Sequence, residues 1–233
     1  VVPAPDDDVD AGPELARVAA AHGSDRAFRD RIAAGPVDFR YDRTLPDGRV
    51  IHHRWASRGA DVYVEVSGEG IPSSRTRIVG GKAELAVGDG GWVAQDLDRT
   101  REIVEALGPL EVLPLVLAVG PTVASRREFA EMEVAGAGEP SGGPTVTLSF
   151  GGDATTGPIE LDVGRDDHLI RRVRFDEDAV VREYAEYRSV GSAKVPFAVT
   201  VVRRDGRTES RDQIRIQAFE LGGTLPAAWF STR

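Results

Sequence analysis

The chain has 233 residues, of which 41% are hydrophobic and 29% charged, with a net charge of −9 and no cysteine. This balance fits one large or two small globular domains and excludes a disordered chain. The negative charge argues against nucleic acid and anionic membrane surfaces as primary partners, and the lack of cysteine excludes disulfides and thiolate chemistry.

The first twelve residues predict a flexible tether. They are rich in proline and aspartate and lack the basic start and apolar core of an export signal. Such an opening fits a cytoplasmic protein or the mature form of an exported one, and the solvated tether favours export. We therefore expect a periplasmic or cell-surface protein whose export signal has been removed, with residues 13–233 as a single domain.

Helical patterning comes first and then gives way to strands. Leu15 and Val18 recur at helical spacing and predict a helix over residues 13–23, with a second helical piece at 25–34. From residue 37 the apolar residues alternate with polar ones, and the turn at 46–48 joins two strands into a hairpin. Further short strands follow to residue 96, which predicts an antiparallel meander.

Two helical segments interrupt the meander. Residues 96–108 carry an apolar stripe and end at a glycine, and residues 108–120, GPLEVLPLVLAVG, are the most apolar stretch of the chain. This stretch is too short to cross a bilayer, which takes about 20 apolar residues, and Pro114 would kink a helix at its centre. Its apolar side chains must therefore lie against protein or against a bound ligand.

Strands resume after the insert and continue to residue 221, for about a dozen in all. A long antiparallel sheet has two faces, whereas the two helical segments can cover only one. If the sheet curls around them, its concave side is either a packed core or a lined cavity.

No motif for catalysis or metal binding is found. His52 and His53 are adjacent on a predicted strand, so their side chains point to opposite faces and cannot share a metal ion. The chain has no Gly-x-Ser-x-Gly elbow, and its glycine-rich turns lack the lysine and spacing of a phosphate loop. We therefore expect no enzyme activity, no cofactor and no metal.

The order of helix, meander, helical insert and long returning strands resembles the LolA/LolB-like lipoprotein carriers and their lipoprotein-sorting relatives. The local matches are the Asp89–Gly90 turn before Trp92 and a late stretch formed by Tyr187, Arg188, Val190, Gly191, Val195 and Pro196. The resemblance implies an α+β fold in which a single large antiparallel sheet curls into an unclosed barrel over a small helical lid. It also implies an apolar cavity for acyl chains between the sheet and the lid.

The resemblance and the alternation of the strands together give a predicted ligand-binding set. Its members are Phe39, Tyr41, Arg43, Trp55, Trp92, Leu113 and Leu117. Arg43 is the one charged residue on the apolar side of its strand. It is either a latch for the lid through backbone carbonyls or an arginine that extends to solvent at the strand end.

We expect a non-catalytic envelope protein that binds a lipid or the acyl chain of a lipoprotein, as a carrier or in sorting. The alternative is an envelope protein-interaction or signal-sensing module with a packed, ligand-free core. An envelope protein is a further expected partner, and the chain is expected to be a monomer with no transmembrane segment.

Overall fold

A computed structural model of the chain describes residues 12–23, 28, 31–32, 34–114, 132–138, 144–150, 159–175 and 179–231. The helices with defined bounds are α1 (Gly12–Ala21), α2 (Leu97–Ala106), α3 (Pro109–Val112) and the 3₁₀ helix Ala227–Phe230. Residues 28, 31–32 and 34 are helical as well, in agreement with the helical piece predicted for 25–34. The other residues of that piece, and the predicted tether except for Gly12, lie outside the described ranges.

Thirteen strands lie within the described residues. They are β1 (Val37–Thr44), β2 (Val50–Arg58), β3 (Asp61–Gly68), β4 (Ile71–Val79), β5 (Lys82–Val87), β6 (Val93–Gln95), β7 (Met132–Gly138), β8 (Thr145–Phe150), β9 (Ile159–Gly164), β10 (Ile170–Phe175), β11 (Val180–Val190), β12 (Ala193–Asp205) and β13 (Thr208–Leu221).

All of these strands belong to one antiparallel sheet. Its order is β6-β5-β4-β3-β2-β1-β13-β12-β11-β10-β9-β8-β7, with β6 at one edge and β7 at the other, so the sheet is not closed. The α+β fold predicted from the sequence, an unclosed antiparallel barrel with helices, is confirmed. Tight turns produce the meander, as at Gly48, where a φ of 85° is a conformation that other residues rarely adopt.

One long-range pairing joins the two halves of the sheet. β1 pairs with β13 from Val37↔Leu221 to Thr44↔Gln213, with a bulge beside Arg40 and Tyr41. Every other neighbouring pair in the sheet is consecutive in the chain. The β1–β13 seam is therefore the contact that makes one sheet out of two meanders.

The inner face is the side of the sheet that carries Phe39 and Trp55, and α1 and α2 lie on it. α2 packs there through Val104, which belongs to one cluster with Val64, Ile78 and Ala83 of β3, β4 and β5. α1 contributes Leu15 and Val18 to the large core cluster built on the remaining strands. The middle strands of the sheet, β2, β1 and β13, lie between these two attachments.

The predicted helix over residues 108–120 is shorter than expected. α3 ends at Val112, and Leu113 has an extended backbone with φ −76° and ψ 152°. The cause is Pro114, because its ring disfavours helical backbone in the residue before it. A proline-kinked helix through this point was therefore wrong, and residues 115–120 lie outside the described ranges.

His22 attaches the end of α1 to the sheet. Its imidazole has no solvent exposure; Nε2 accepts a hydrogen bond from the Ile170 amide at 3.1 Å, and Nδ1 lies 3.3 Å from the Lys194 carbonyl oxygen. These contacts require a neutral ring with its proton on Nδ1. Burial lowers the pKa of His22 to about 4, although the hydrogen bond to the Lys194 carbonyl oxygen acts to raise it.

The outer face is partly covered by the C-terminal segment, residues 222–231. Trp229 stacks on Tyr63 with ring centroids 4.8 Å apart, and the Arg54 guanidinium lies 4.3 Å from the Trp229 ring. Arg77, which is almost fully buried, donates to the Ser231 carbonyl at 2.6 Å and to Glu84 at 2.7 Å. The end of the chain thus covers apolar surface that the helices cannot reach.

The first prediction concerns acid stability. His22 and His53 both have a folded-state pKa of about 4, below the ordinary 6.5, so the unfolded chain binds more protons and stability falls as pH falls. Each histidine should remove about 2 kcal/mol of unfolding free energy between pH 7 and pH 5. In urea titrations between pH 7 and pH 5, the unfolding free energy of His22→Gln should depend on pH about half as strongly as that of the wild type. An unchanged slope would contradict the buried neutral state of His22.

The second prediction concerns the outer face. Trp229→Ala should lower the unfolding free energy by about 2–3 kcal/mol, because it removes the stack on Tyr63 and exposes the surface below it. Urea denaturation measures the loss, and Trp229→Phe serves as the control that keeps an aromatic ring. A change below about 0.5 kcal/mol for Trp229→Ala would show that the segment is not packed on the sheet in solution.

Candidate functional site

An aromatic surface lies on the inner face of β1 and β2. Phe39 pairs in register with Trp55, and Tyr41 pairs with His53, so the four side chains share that face. The Phe39 and Tyr41 ring centroids are 5.2 Å apart, and Tyr41 stacks on His53 at 4.5 Å with nearly parallel planes. Phe39 also meets Phe219 across the seam at 5.3 Å, so the surface extends to β13.

The turn between α2 and α3 lies against this aromatic surface. The Tyr41 hydroxyl donates to the Leu107 carbonyl oxygen at 3.4 Å. A Cβ on Gly108 would come within 3.2 Å of Trp55 Nε1, so a larger residue here would require Trp55 or the turn to move by a few tenths of an ångström. Leu113 is 1% exposed and belongs to the same core cluster as Phe39 and Tyr41, with Trp55 packed against it. The structure therefore brings together four of the seven predicted site residues.

Arg43 lies at the end of the same row, past Tyr41, and pairs with Asp212 of β13. Its Nε donates to the Asp212 carboxylate at 3.1 Å, and Arg203 donates to the same carboxylate at 2.7 Å. Burial acts to raise the pKa of Asp212, but the hydrogen bonds from the two guanidinium groups outweigh it and the pKa is lowered. Neither interpretation of Arg43 made from the sequence had named this carboxylate partner.

Trp92 does not join the aromatic surface, which corrects its place in the predicted set. It lies on the outer face, with the Arg77 guanidinium 4.0 Å from its ring and the cluster of Tyr63, Val79 and Phe230 around it. Trp92 immediately precedes β6, so strand alternation did not determine the direction of its side chain. Leu117 lies outside the described residues, and its part in a site stays a prediction.

Sequence reasoning missed a row of polar atoms on the inner side of β2. His53, Trp55 and Ser57 point inward in succession, and both ring nitrogens of His53, Nε1 of Trp55 and Oγ of Ser57 are buried. None of these four atoms has a hydrogen-bond partner in the described part of the chain. Burial lowers the pKa of His53 to about 4, helped by the positive charge of Arg43. Alternation along β2 was the signal that could have found the row.

The two neighbouring histidines face opposite sides of the sheet, as predicted. His52 lies on the outer face, with Nδ1 2.6 Å from an Asp42 carboxylate oxygen. Near it lies an open depression of about 250 Å³. Its lining residues are Arg40, Tyr41, Asp42, His52, His53, Arg54, Glu65, Ser67 and Gln217. The depression lies on the outer face, opposite the aromatic surface, so it is not the cavity predicted from the sequence.

Two further findings bear on the chemistry of the described residues. They contain no cluster of three His, Cys, Asp or Glu side chains arranged to hold a metal ion. None of their helices has the length and apolar character needed to span a membrane.

The fold has counterparts among solved structures. A Vibrio parahaemolyticus domain named for outer membrane lipoprotein sorting is similar at 8% identity, with 94% of this chain and 97% of that chain covered and a TM-score of 0.51. A DUF1329 family protein from Desulfovibrio piger covers 96% and 98% at 9% identity and TM-score 0.49. A LolA superfamily protein from Nitrosomonas europaea covers 97% and 99% at 13% identity and TM-score 0.44.

No protein-family model matches the sequence, and no curated protein matches it either. The similarity to known proteins is thus structural. The likeness to the Vibrio parahaemolyticus domain, at a TM-score of 0.51, shows the fold. The resemblance inferred from the sequence is confirmed at the level of the fold that the chain shares with this domain.

A third prediction tests how firmly Leu113 is packed. Leu113→Ala should lower the unfolding free energy by about 2–5 kcal/mol, and Leu113→Asp by more, because it buries an unpaired carboxylate. Ile103→Ala on α2 is the matched control, since Ile103 is 49% exposed, and it should change little. Chemical denaturation gives all three values. A cost below about 1 kcal/mol for Leu113→Ala would place Leu113 outside the packed core in solution.

Proposed function

We propose that this protein is a non-catalytic cell-envelope protein that binds a lipid or the acyl chain of a lipoprotein against the inner face of its sheet. The observation that carries the proposal is the change in polarity along the inner side of β1. Phe39 has no exposure and Tyr41 has 4%, whereas the Arg43 side chain is 32% exposed and charged. An apolar row that ends in charged groups complements an amphiphile, whose chain and polar end differ in the same way.

The energy of such a complex needs no chemical reaction. Each methylene that leaves water contributes about 0.8 kcal/mol, so ten of them would contribute about 8 kcal/mol before the cost of ordering the chain. The aromatic surface and Leu113 belong to one buried cluster, so a chain inserted between them would contact side chains on both sides. One or two long acyl chains would therefore suffice for a stable complex.

The LolA-like fold supports the same function. The Vibrio parahaemolyticus domain with this fold is named for lipoprotein sorting in the outer membrane. By analogy we place the present protein in the periplasm or at the cell surface, as a monomeric domain over residues 13–233. A lipoprotein acyl chain and an envelope protein would be its partners.

A specific observation favours the second candidate, a protein-interaction or signal-sensing module without a ligand. Phe39 is fully buried and Leu113 is 1% exposed, as in a filled core. Under this alternative the aromatic surface and Leu113 stay in contact, and an acyl chain finds no room between them.

The fourth prediction separates the two candidates with the three tryptophans of the chain. Trp55 lies on the inner face, whereas Trp92 and Trp229 lie on the outer face. A brominated fatty acid quenches an indole only at short range. In the Trp92→Phe/Trp229→Phe variant, which keeps Trp55, the quenching should be saturable.

The Trp55→Phe/Trp92→Phe variant keeps only Trp229 and is the matched control, in which no saturable quenching is expected. Native mass spectrometry of protein extracted from its host should in addition show a bound lipid. Absence of both signals would contradict acyl binding and favour the ligand-free module. Saturable quenching of Trp229 alone would move the site to the outer face.

A further inference from the structure

The inner side of β2 carries an unusual series of polar groups. Three successive inward residues, His53, Trp55 and Ser57, each have a buried nitrogen or oxygen without a partner in the described part of the chain. His53 is 7% exposed and Ser57 is 2% exposed, so water around the protein does not reach these groups freely. The neighbouring outward residue Arg54, in contrast, makes two hydrogen bonds to Asp38, at 3.0 and 2.6 Å.

Unpartnered buried polar groups are rare in folded proteins because each forfeits the hydrogen bonds that it made to water. Four such atoms on one strand are therefore a feature that needs a cause. They do not lie at a sheet edge, since β2 is paired with β1 on one side and β3 on the other. They lie beside Phe39 and Tyr41 on the inner face, where the proposed ligand would lie, and Trp55 lies close to the turn at Gly108.

The chemistry of the row defines what would complement it. Trp55 Nε1 is a donor only, Ser57 donates or accepts, and a neutral imidazole at His53 has one donor and one acceptor. The row therefore carries more hydrogen-bond donors than groups that can only accept. Residues two apart on a strand are separated by about 7 Å, so the row extends over about 13 Å. A single carboxyl group at the end of a fatty acid cannot reach all three side chains, whereas a lipid with two ester linkages offers two carbonyl oxygens, one for each of two neighbouring side chains of the row.

We infer that His53, Trp55 and Ser57 form a hydrogen-bonding row that receives the ester carbonyl oxygens of a diacyl lipid. This inference rests on the proposed function and deepens it by naming the linkage that is recognised. The acyl chains extend from the row over Phe39 and Tyr41. The polar end of the lipid lies towards Arg43 and Arg203, which share the single carboxylate of Asp212 and so leave a net positive charge.

The test compares two lipids that differ only in their carbonyl groups, dioctanoyl glycerophosphocholine and its dioctyl ether counterpart. Isothermal titration should show that the wild-type protein prefers the diester by about tenfold or more, as expected for two or more hydrogen bonds. Trp55→Phe and His53→Phe keep an aromatic ring, and His53→Phe preserves a stack on Tyr41. Each should reduce the preference to about threefold, because affinity for the diester falls by more than affinity for the diether.

His52→Phe is the matched control, because it removes the adjacent histidine from the outer face and should leave the preference intact. Melting curves show whether each variant folds, and Ser57→Ala, the smallest change, provides a further variant if the larger ones do not. Equal affinity of the wild type for the two lipids would overturn the inference and leave the proposed function standing. Binding of neither lipid, together with no fatty-acid quenching, would overturn both.

Discussion

The β1–β13 pairing is the contact on which the rest of this structure depends. Eight residue pairs from Val37↔Leu221 to Thr44↔Gln213 connect two meanders that are otherwise separate in the chain. Side chains reinforce the seam on both faces. On the inner side Phe39 contacts Phe219 and Arg43 pairs with Asp212. On the outer side Arg40 donates to Glu220. Without this pairing the aromatic surface of β1 would lie at the edge of a six-stranded sheet. With it, that surface lies in the middle of the inner face.

A sheet of this size has more apolar surface than its helices can cover, and the chain covers the two faces in different ways. The outer face is covered by a short C-terminal segment, with the Trp229–Tyr63 stack and the buried Arg77 as its main contacts. The inner face is covered by α1 at one end and α2 near the other, with the turn near Gly108 in between. The proposed lipid site lies where the turn near Gly108 approaches the middle strands. The unpartnered polar row of β2 lies in this same place.

The fold was predictable because strand alternation and turn residues are local signals, and each hairpin follows from its own sequence. The same alternation placed Phe39, Tyr41 and Trp55 on one face correctly. It failed for Trp92, which precedes β6 after a glycine-rich turn, so no strand period determined its face. Alternation also could not show that Arg43 would pair with Asp212, 169 residues later in the chain. Nor could it show that residues 222–231 would return over the outer face. These contacts depend on the seam, and long-range pairing leaves no mark in a local pattern.

The central claim is that an acyl chain lies against the inner face between the two helical attachments. Photo-crosslinking with a diazirine at the end of an acyl chain, followed by peptide mapping, tests this directly because the label reacts with the residues that it touches. We expect labels on the peptides that contain Phe39 to Tyr41 and His53 to Ser57, and fewer labels in the presence of unlabelled lipid. Labels confined to the C-terminal segment, or none that competitor lipid removes, would contradict it.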